Sequence, residues 1–317
     1  MSRHRVFGPP LTIPVPQKTW ILGIAVPVCR DLSHRKDRSI RTCCRTGQSK
    51  TRHRGLGDSR PHPVTVLCMS DALSRLRRLN IIAMLLHTLQ AAAVVMLAND
   101  FALPVAARYM NGPPGSAQSE LVTVSELRTA WIVAAFLALS AVAHFLIAFP
   151  LRSRYETWLA ARTNPARWVE YSLSSTLMII VILQLCGIDD LAALISAALA
   201  NVAMILFGWL QEKYEEPGTG MMPFWFGCIA GSAPWVAIGA YLFSPGSSSA
   251  ANPPGFVYGI IISLFLFFNC FALNQWLQYK EVGKWREYLY GERAYLILSL
   301  AAKSALAWQV FGGTLAG

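Results

Sequence analysis

The stretch Ala294-Tyr-Leu-Ile-Leu-Ser-Leu-Ala-Ala-Lys303-Ser-Ala-Leu-Ala-Trp-Gln-Val-Phe-Gly-Gly-Thr-Leu315 is long enough to cross a bilayer and holds one charge, Lys303, near its middle. A charge at mid-membrane costs roughly 2.5–3.5 kcal/mol even on the lenient insertion scale, so an intramembrane lysine is a functional candidate by default. Only one other fully ionisable residue is read deep in any comparable run: Glu170, in Arg167-Trp-Val-Glu-Tyr-Ser-Leu-Ser-Ser.

Working outward from that run, seven apolar stretches are predicted to be transmembrane helices, at about 79–98, 129–149, 166–187, 190–210, 222–243, 256–277 and 294–315. With 54% apolar residues, 14% charged residues and a mean hydropathy of +0.40, the chain is too apolar for an ordinary soluble protein. No soluble catalytic domain lies between or after the spans, so no enzyme is expected.

The net charge of +11 is uneven. Residues 1–68 hold 13 Lys and Arg against 3 Asp and Glu, a net of +10, while 69–317 are nearly neutral at +1. The first segment has Pro9-Pro10, an Arg/His/Ser-rich stretch and no sustained apolar periodicity, and reads as a disordered basic extension. Its apolar patch from Trp20 to Cys29 is too short for a membrane helix and lacks a cleavage site. Met69 is a natural start just before the first span, so 1–68 are read as an upstream extension and 69–317 as the functional domain. A nucleic-acid-binding arm is disfavoured, because the basic residues lack interleaved aromatics or a foldable helix. The seven cysteines form no Cys-x-x-Cys pair, and no metal site is expected.

Orientation follows from the loops. Arg75, Arg77, Arg78, Arg152, Arg154, Arg162, Arg167, Lys213, Lys280, Lys284, Arg286 and Arg293 flank one side, and only Arg108 and Arg128 the other. The positive-inside rule puts the N-terminus in the cytoplasm and the C-terminus outside. Gly187-Ile-Asp-Asp190 makes spans three and four an antiparallel hairpin, and Phe243 to Gly255 reads as a flexible outer linker. In the first outer loop, Phe101 to Met110 and Gln118 to Val124 flank a turn-rich Asn111-Gly-Pro-Pro-Gly-Ser, the pattern of a β-hairpin, with Pro104 making the first strand irregular or an edge. A floppy loop is the alternative.

A lone amine and a lone carboxylate among seven apolar helices point to a covalently bound chromophore with its counter-ion. The competing reading is a structural ion pair joining two helices, although such pairs rarely improve on apolar packing. Ser299 lies one turn from Lys303 on the same face, and Ser174 and Ser175 follow Glu170 by about one turn. Taken alone, each serine more often bonds its own helix backbone. His87 and His144 fall in the cytoplasmic half of their spans and suggest a polar inner cavity able to hold a proton. Asn201, Asn269, Asn274 and Gln275 are read as buried amides. The outer halves of the spans have no Asp, Glu, Lys or Arg at depth, which disfavours transport across the whole membrane.

At Arg167-Trp-Val-Glu-Tyr-Ser-Leu-Ser-Ser-Thr176, Phe268-Asn-Cys-Phe-Ala-Leu-Asn-Gln-Trp-Leu-Gln-Tyr-Lys280 and Ser299-Leu-Ala-Ala-Lys-Ser-Ala-Leu-Ala-Trp-Gln309 the chain resembles the heliorhodopsins, retinal-binding proteins of inverted membrane orientation. The resemblance covers about 75–317. It implies an all-α, rhodopsin-like seven-transmembrane-helix bundle with an extracellular β-hairpin in the first loop. It further implies that Lys303 carries all-trans retinal as a protonated Schiff base, with Glu170 as counter-ion. Ser299 and Ser140 would lie near the Schiff base; Ser175, Tyr171, Asn201 and Gln275 would surround the chromophore; His87 and His144 would line the proton-accepting cavity. It implies a homodimer through residues 101–124, and a light sensor without net pumping that acts on a cytoplasmic signalling partner. A light-driven or light-gated ion carrier on the same fold is the alternative function, and a chromophore-free membrane scaffold or enzyme modulator a third.

Overall fold

The computed structural model describes residues 63–117, 119–243 and 253–315, with side chains from residue 70 onward. Two units are distinguished, Met1–Gly57 and Asp58–Gly317, and every described residue belongs to the second. The sequence readings for residues 1–62 and for most of the 243–255 linker lie outside the described residues.

The chain forms α1 (Pro63–Leu97), β1 (Ala102–Ala107), β2 (Val122–Arg128), α2 (Thr129–Ala148), a short α3 (Arg152–Ala160), α4 (Pro165–Leu185), α5 (Leu191–Tyr214), α6 (Met222–Phe243), α7 (Gly255–Tyr279) and α8 (Tyr288–Val310). A 3-10 turn, Gly283–Arg286, precedes α8, and a π turn, Phe311–Leu315, ends it. Among the described residues, all of these helices except α3 are long and apolar enough to cross a membrane, seven in total. They fall where the apolar runs placed them, but α1, α5, α7 and α8 reach further than expected. The proposed boundary at residue 69 falls inside α1. The C-terminal end of α5 and the N-terminal end of α8 extend past the apolar core because their polar residues are paired inside the bundle.

Local sequence explains the helix ends. Asn164 caps α4 by accepting from the Arg167 amide, with Pro165 at the first helical position. Asp190 caps α5 through the Ala193 amide, closing the short loop between the two helices. Pro234 stands inside α6, where it lacks the N–H needed for the helix ladder. Gly227 and Gly231, one turn apart on α6, let α5 approach closely, since a Cβ on Gly231 would stand 2.3 Å from Sδ of Met204.

Helix α4 is central, packing on α2 and α5 and touching α6 and α7, while α1 closes the bundle against α2 and α8. Helices α6 and α7 meet only sparsely. The apolar core fills the half of the bundle nearer the β1–β2 hairpin, where Phe136, Leu137, Ile179, Ile182, Leu183, Ile260, Leu264 and Leu306 are buried. Between α1 and α2, β1 and β2 pair antiparallel, with an irregularity between Val105 and Ala106. The hairpin is thus present, but the second strand is Val122–Arg128 rather than 118–124, because it runs directly into α2. The Ala106 amide also donates to the Asp189 carbonyl at 2.9 Å, tying the hairpin to the loop between α4 and α5.

Candidate functional site

Lys303 on α8 and Glu170 on α4 meet between their helices, with Nζ 2.7 Å from Oε1. The same Nζ donates to Oγ of Ser299 at 2.9 Å, one turn toward the N-terminus of α8. Oγ of Ser140, on α2, donates to the same Glu170 oxygen at 2.6 Å. The lysine is 3% exposed, so the pair lies in a low-dielectric setting where losing one partner is expensive. Lys303 also lies over the Tyr171 ring, 5.2 Å from its centroid.

A cavity of about 520 Å³ opens beside Nζ. Its wall includes Trp168, Tyr171, Trp235, Phe268, Phe271 and Tyr295, with Ser175, Gln275, Ser299 and Lys303 among its polar members. An elongated apolar ligand suits such a lining, and the volume falls within the usual range of roughly 300–1,000 Å³ for small-molecule sites. Oγ of Ser174 is buried on this wall without a hydrogen-bond partner among the described residues. A polyene aldehyde able to condense with an amine fits the set: an amine at the cavity, a carboxylate to balance its charge, and aromatic walls beyond.

Of the residues expected around a chromophore, Lys303, Ser299, Tyr171, Ser175 and Gln275 line this cavity, while Glu170 and Ser140 stand behind the amine. Asn201 does not line it; its Nδ2 donates to Oγ of Ser175 at 2.8 Å and Oγ1 of Thr176 at 2.9 Å, so it braces the wall from behind. Gln275 donates to the Gly208 carbonyl at 3.0 Å. Asn269 is corrected from a buried amide to an exposed one: it stands at the cavity wall, and its Nδ2 folds back to the Phe265 carbonyl.

Between α1 and α2, His87 and His144 stack with centroids 5.8 Å apart. Nδ1 of His144 is 2.7 Å from Oδ1 of Asn80, whereas both ring nitrogens of His87 are buried without a partner among the described residues. Both rings are within electrostatic reach of Glu170 and Lys303. Tyr155, on α3 outside the spans, is buried below them; burial pushes its phenol up to about 12, keeping it neutral at ordinary pH.

Glu170 and Lys303 are not the only deep charges, and this corrects the sequence reading. Arg167, Glu212 and Glu292 are also buried. Arg167 was counted as a loop flank, yet its Nη2 donates to Glu212 at 2.6 Å and its Nη1 pairs with Glu292. Glu212 also accepts from Trp168 Nε1 at 2.5 Å, the Asn164 amide at 2.9 Å and Tyr288 Oη at 2.8 Å. Glu292 accepts from Asn164 Nδ2 at 2.7 Å. The two glutamates sit just beyond the apolar runs, so hydropathy alone placed them in loops. Their signal was the helical register, since Glu292 is 11 residues from Lys303 and shares its face.

The family profile for heliorhodopsin matches residues 76–315. No curated protein sequence matches. The transmembrane domain of Salpingoeca rosetta rhodopsin phosphodiesterase is similar in fold, with a TM-score of 0.55 at 11% identity over 79% of this chain and 88% of that one. Exiguobacterium sibiricum rhodopsin gives 0.49 at 17% identity over 78% and 96%. The light-driven proton pump of Leptosphaeria maculans gives 0.49 at 16% identity over 81% and 97%. With the profile spanning α2 to α8 entire and most of α1, the chain belongs to the heliorhodopsin family, multi-pass membrane proteins of the retinal photoreceptor type.

Proposed function

We propose that Lys303 holds all-trans retinal through Nζ as a protonated Schiff base with Glu170 as counter-ion, and that the protein senses light without net ion transport. The observation that carries this reading is a buried amine opening on an aromatic cavity and balanced by one carboxylate at 2.7 Å. Bound retinal supplies a light-driven isomerisation that redirects the N–H at Nζ.

The residues of the chain do the rest. In the dark, Glu170 and Ser299 hold the proton at Nζ, and Ser140 steadies the carboxylate. His87 offers unpartnered nitrogens on the cytoplasmic side as the accepting region, with His144 oriented by Asn80. Among the described residues, the buried charged groups lie at the Lys303 level or inward of it in sequence register, none outward. A proton leaving and returning on the same side gives no net transport. The charge bias of the loops supports a cytoplasmic N-terminus and an outer C-terminus.

The outer hairpin supports a homodimer. Val122 and Val124 on β2, with Tyr109, Met110 and Leu121 in the connection between the strands, are exposed apolar residues, and the edge of β2 away from β1 is open to a second copy.

Adding retinal to membranes containing the protein tests the central claim. A visible band is expected in the wild type, absent in Lys303→Ala and bleached by hydroxylamine. A wild type that stays colourless overturns it.

A further inference from the structure

The buried charges form two rungs between α4 and α8. Glu170 meets Lys303 on the upper rung, and Arg167 meets Glu292 on the lower, cytoplasmic one. Arg167 and Glu170 are three residues apart on one helix and therefore neighbours on its surface. The Arg167 guanidinium lies against two walls of the cavity, 4.5 Å from the Trp168 ring centroid and 4.1 Å from that of Tyr295.

Two buried cations, Arg167 and Lys303, serve three carboxylates, Glu170, Glu212 and Glu292. If the amine loses its charge, Arg167 becomes the one permanent cation among the described buried residues available to all three. A carboxylate left buried without a partner is costly, so the guanidinium is drawn to the newly abandoned Glu170. Which carboxylate gives it up follows from the other donors. Glu212 keeps Trp168, Tyr288 and the Asn164 amide, whereas Glu292 keeps only Asn164 Nδ2.

We propose that Arg167 is a positioning residue that turns toward Glu170 when the positive charge at Lys303 is lost, releasing Glu292 and freeing the turn of α8 around it, while α5 and Tyr288 stay fastened through Glu212. This rests on the reading that the Lys303 nitrogen changes charge in the light. It names the moving part on the cytoplasmic face as Leu289 to Tyr295 of α8, between Tyr288, still held by Glu212, and the Lys303 level.

The test needs no chromophore. Lys303→Met removes the upper cation, and Lys303→Met/Glu170→Gln removes both upper charges. Amide hydrogen exchange is followed over residues 289–295, with 205–214 of α5 as the reference. Lys303→Met is expected to speed exchange over 289–295 about tenfold, the scale of one lost hydrogen bond to a charged group, and to leave α5 unchanged. The double variant is expected to return to the wild-type rate, because no abandoned carboxylate remains to attract Arg167. A purely structural role predicts the double variant to be looser than the single one. Unchanged exchange in Lys303→Met, or no recovery in the double variant, overturns the proposal; Lys303→Gln serves in place of a methionine variant that does not fold. A colourless wild type would end the photoreceptor reading while leaving this exchange result to stand or fall by itself.

Discussion

The imidazoles of His87 and His144 lie almost parallel, with 5° between their planes, yet only His144 has a hydrogen-bond partner among the described residues. One ring is therefore fixed by Asn80 and the other is free to accept. A proton acceptor contributes about 10²–10⁴-fold to a transfer step. His87→Phe keeps the stack but removes the nitrogens, and is expected to slow the formation of the light-evoked, blue-shifted species at least about tenfold. Flash absorbance measures this; an unchanged rate removes His87 from the role.

Glu170 and Ser140 make opposite spectral predictions. Glu170→Gln withdraws the counter-charge from Nζ and should move the band to longer wavelength. The Ser140 hydroxyl donates to the same oxygen at 2.6 Å, drawing charge away from the nitrogen. Ser140→Ala should therefore concentrate that charge and move the band to shorter wavelength. Two shifts of the same sign would contradict this arrangement.

Transport is tested in sealed vesicles. Continuous illumination should give no sustained pH change that an uncoupler abolishes, since no buried charged residue is described on the hairpin side of the pair. A sustained, uncoupler-sensitive change would favour an ion carrier.

The hairpin prediction concerns assembly. Val124→Lys places a charge on the exposed apolar ribbon and should convert a detergent-solubilised dimer into a monomer by light scattering, with the visible band retained. A dimer that survives would place the interface elsewhere.

The inner network sets a stability prediction. Arg167→Met leaves Glu212 and Glu292 buried without their cation, at a cost of about 3–5 kcal/mol. Adding Glu212→Gln and Glu292→Gln should recover most of that loss in thermal melts, as expected if stranded charge rather than lost packing is responsible.

The helices were legible because apolar runs of bilayer length have few other readings, and the Lys303–Glu170 pair because charges stand out against them. The network around Arg167 was not, because hydropathy stops at the last apolar residue while the helix does not. Glu212 lies two residues beyond the expected end of the fourth span, and Glu292 two before the expected start of the seventh. Asn201 and Asn269 illustrate a second limit. Both are amides inside apolar helices, yet one is buried behind Ser175 and the other is exposed at the cavity wall, a difference set by helix rotation rather than by composition.

Gly208 carries one more consequence. A Cβ there would stand 2.6 Å from Cζ3 of Trp168, and the indole is anchored by its bond to Glu212, so it has little freedom to retreat. The missing side chain therefore leaves the indole its seat in the wall. Alanine at 208 would push the indole off that seat and narrow the compartment it lines.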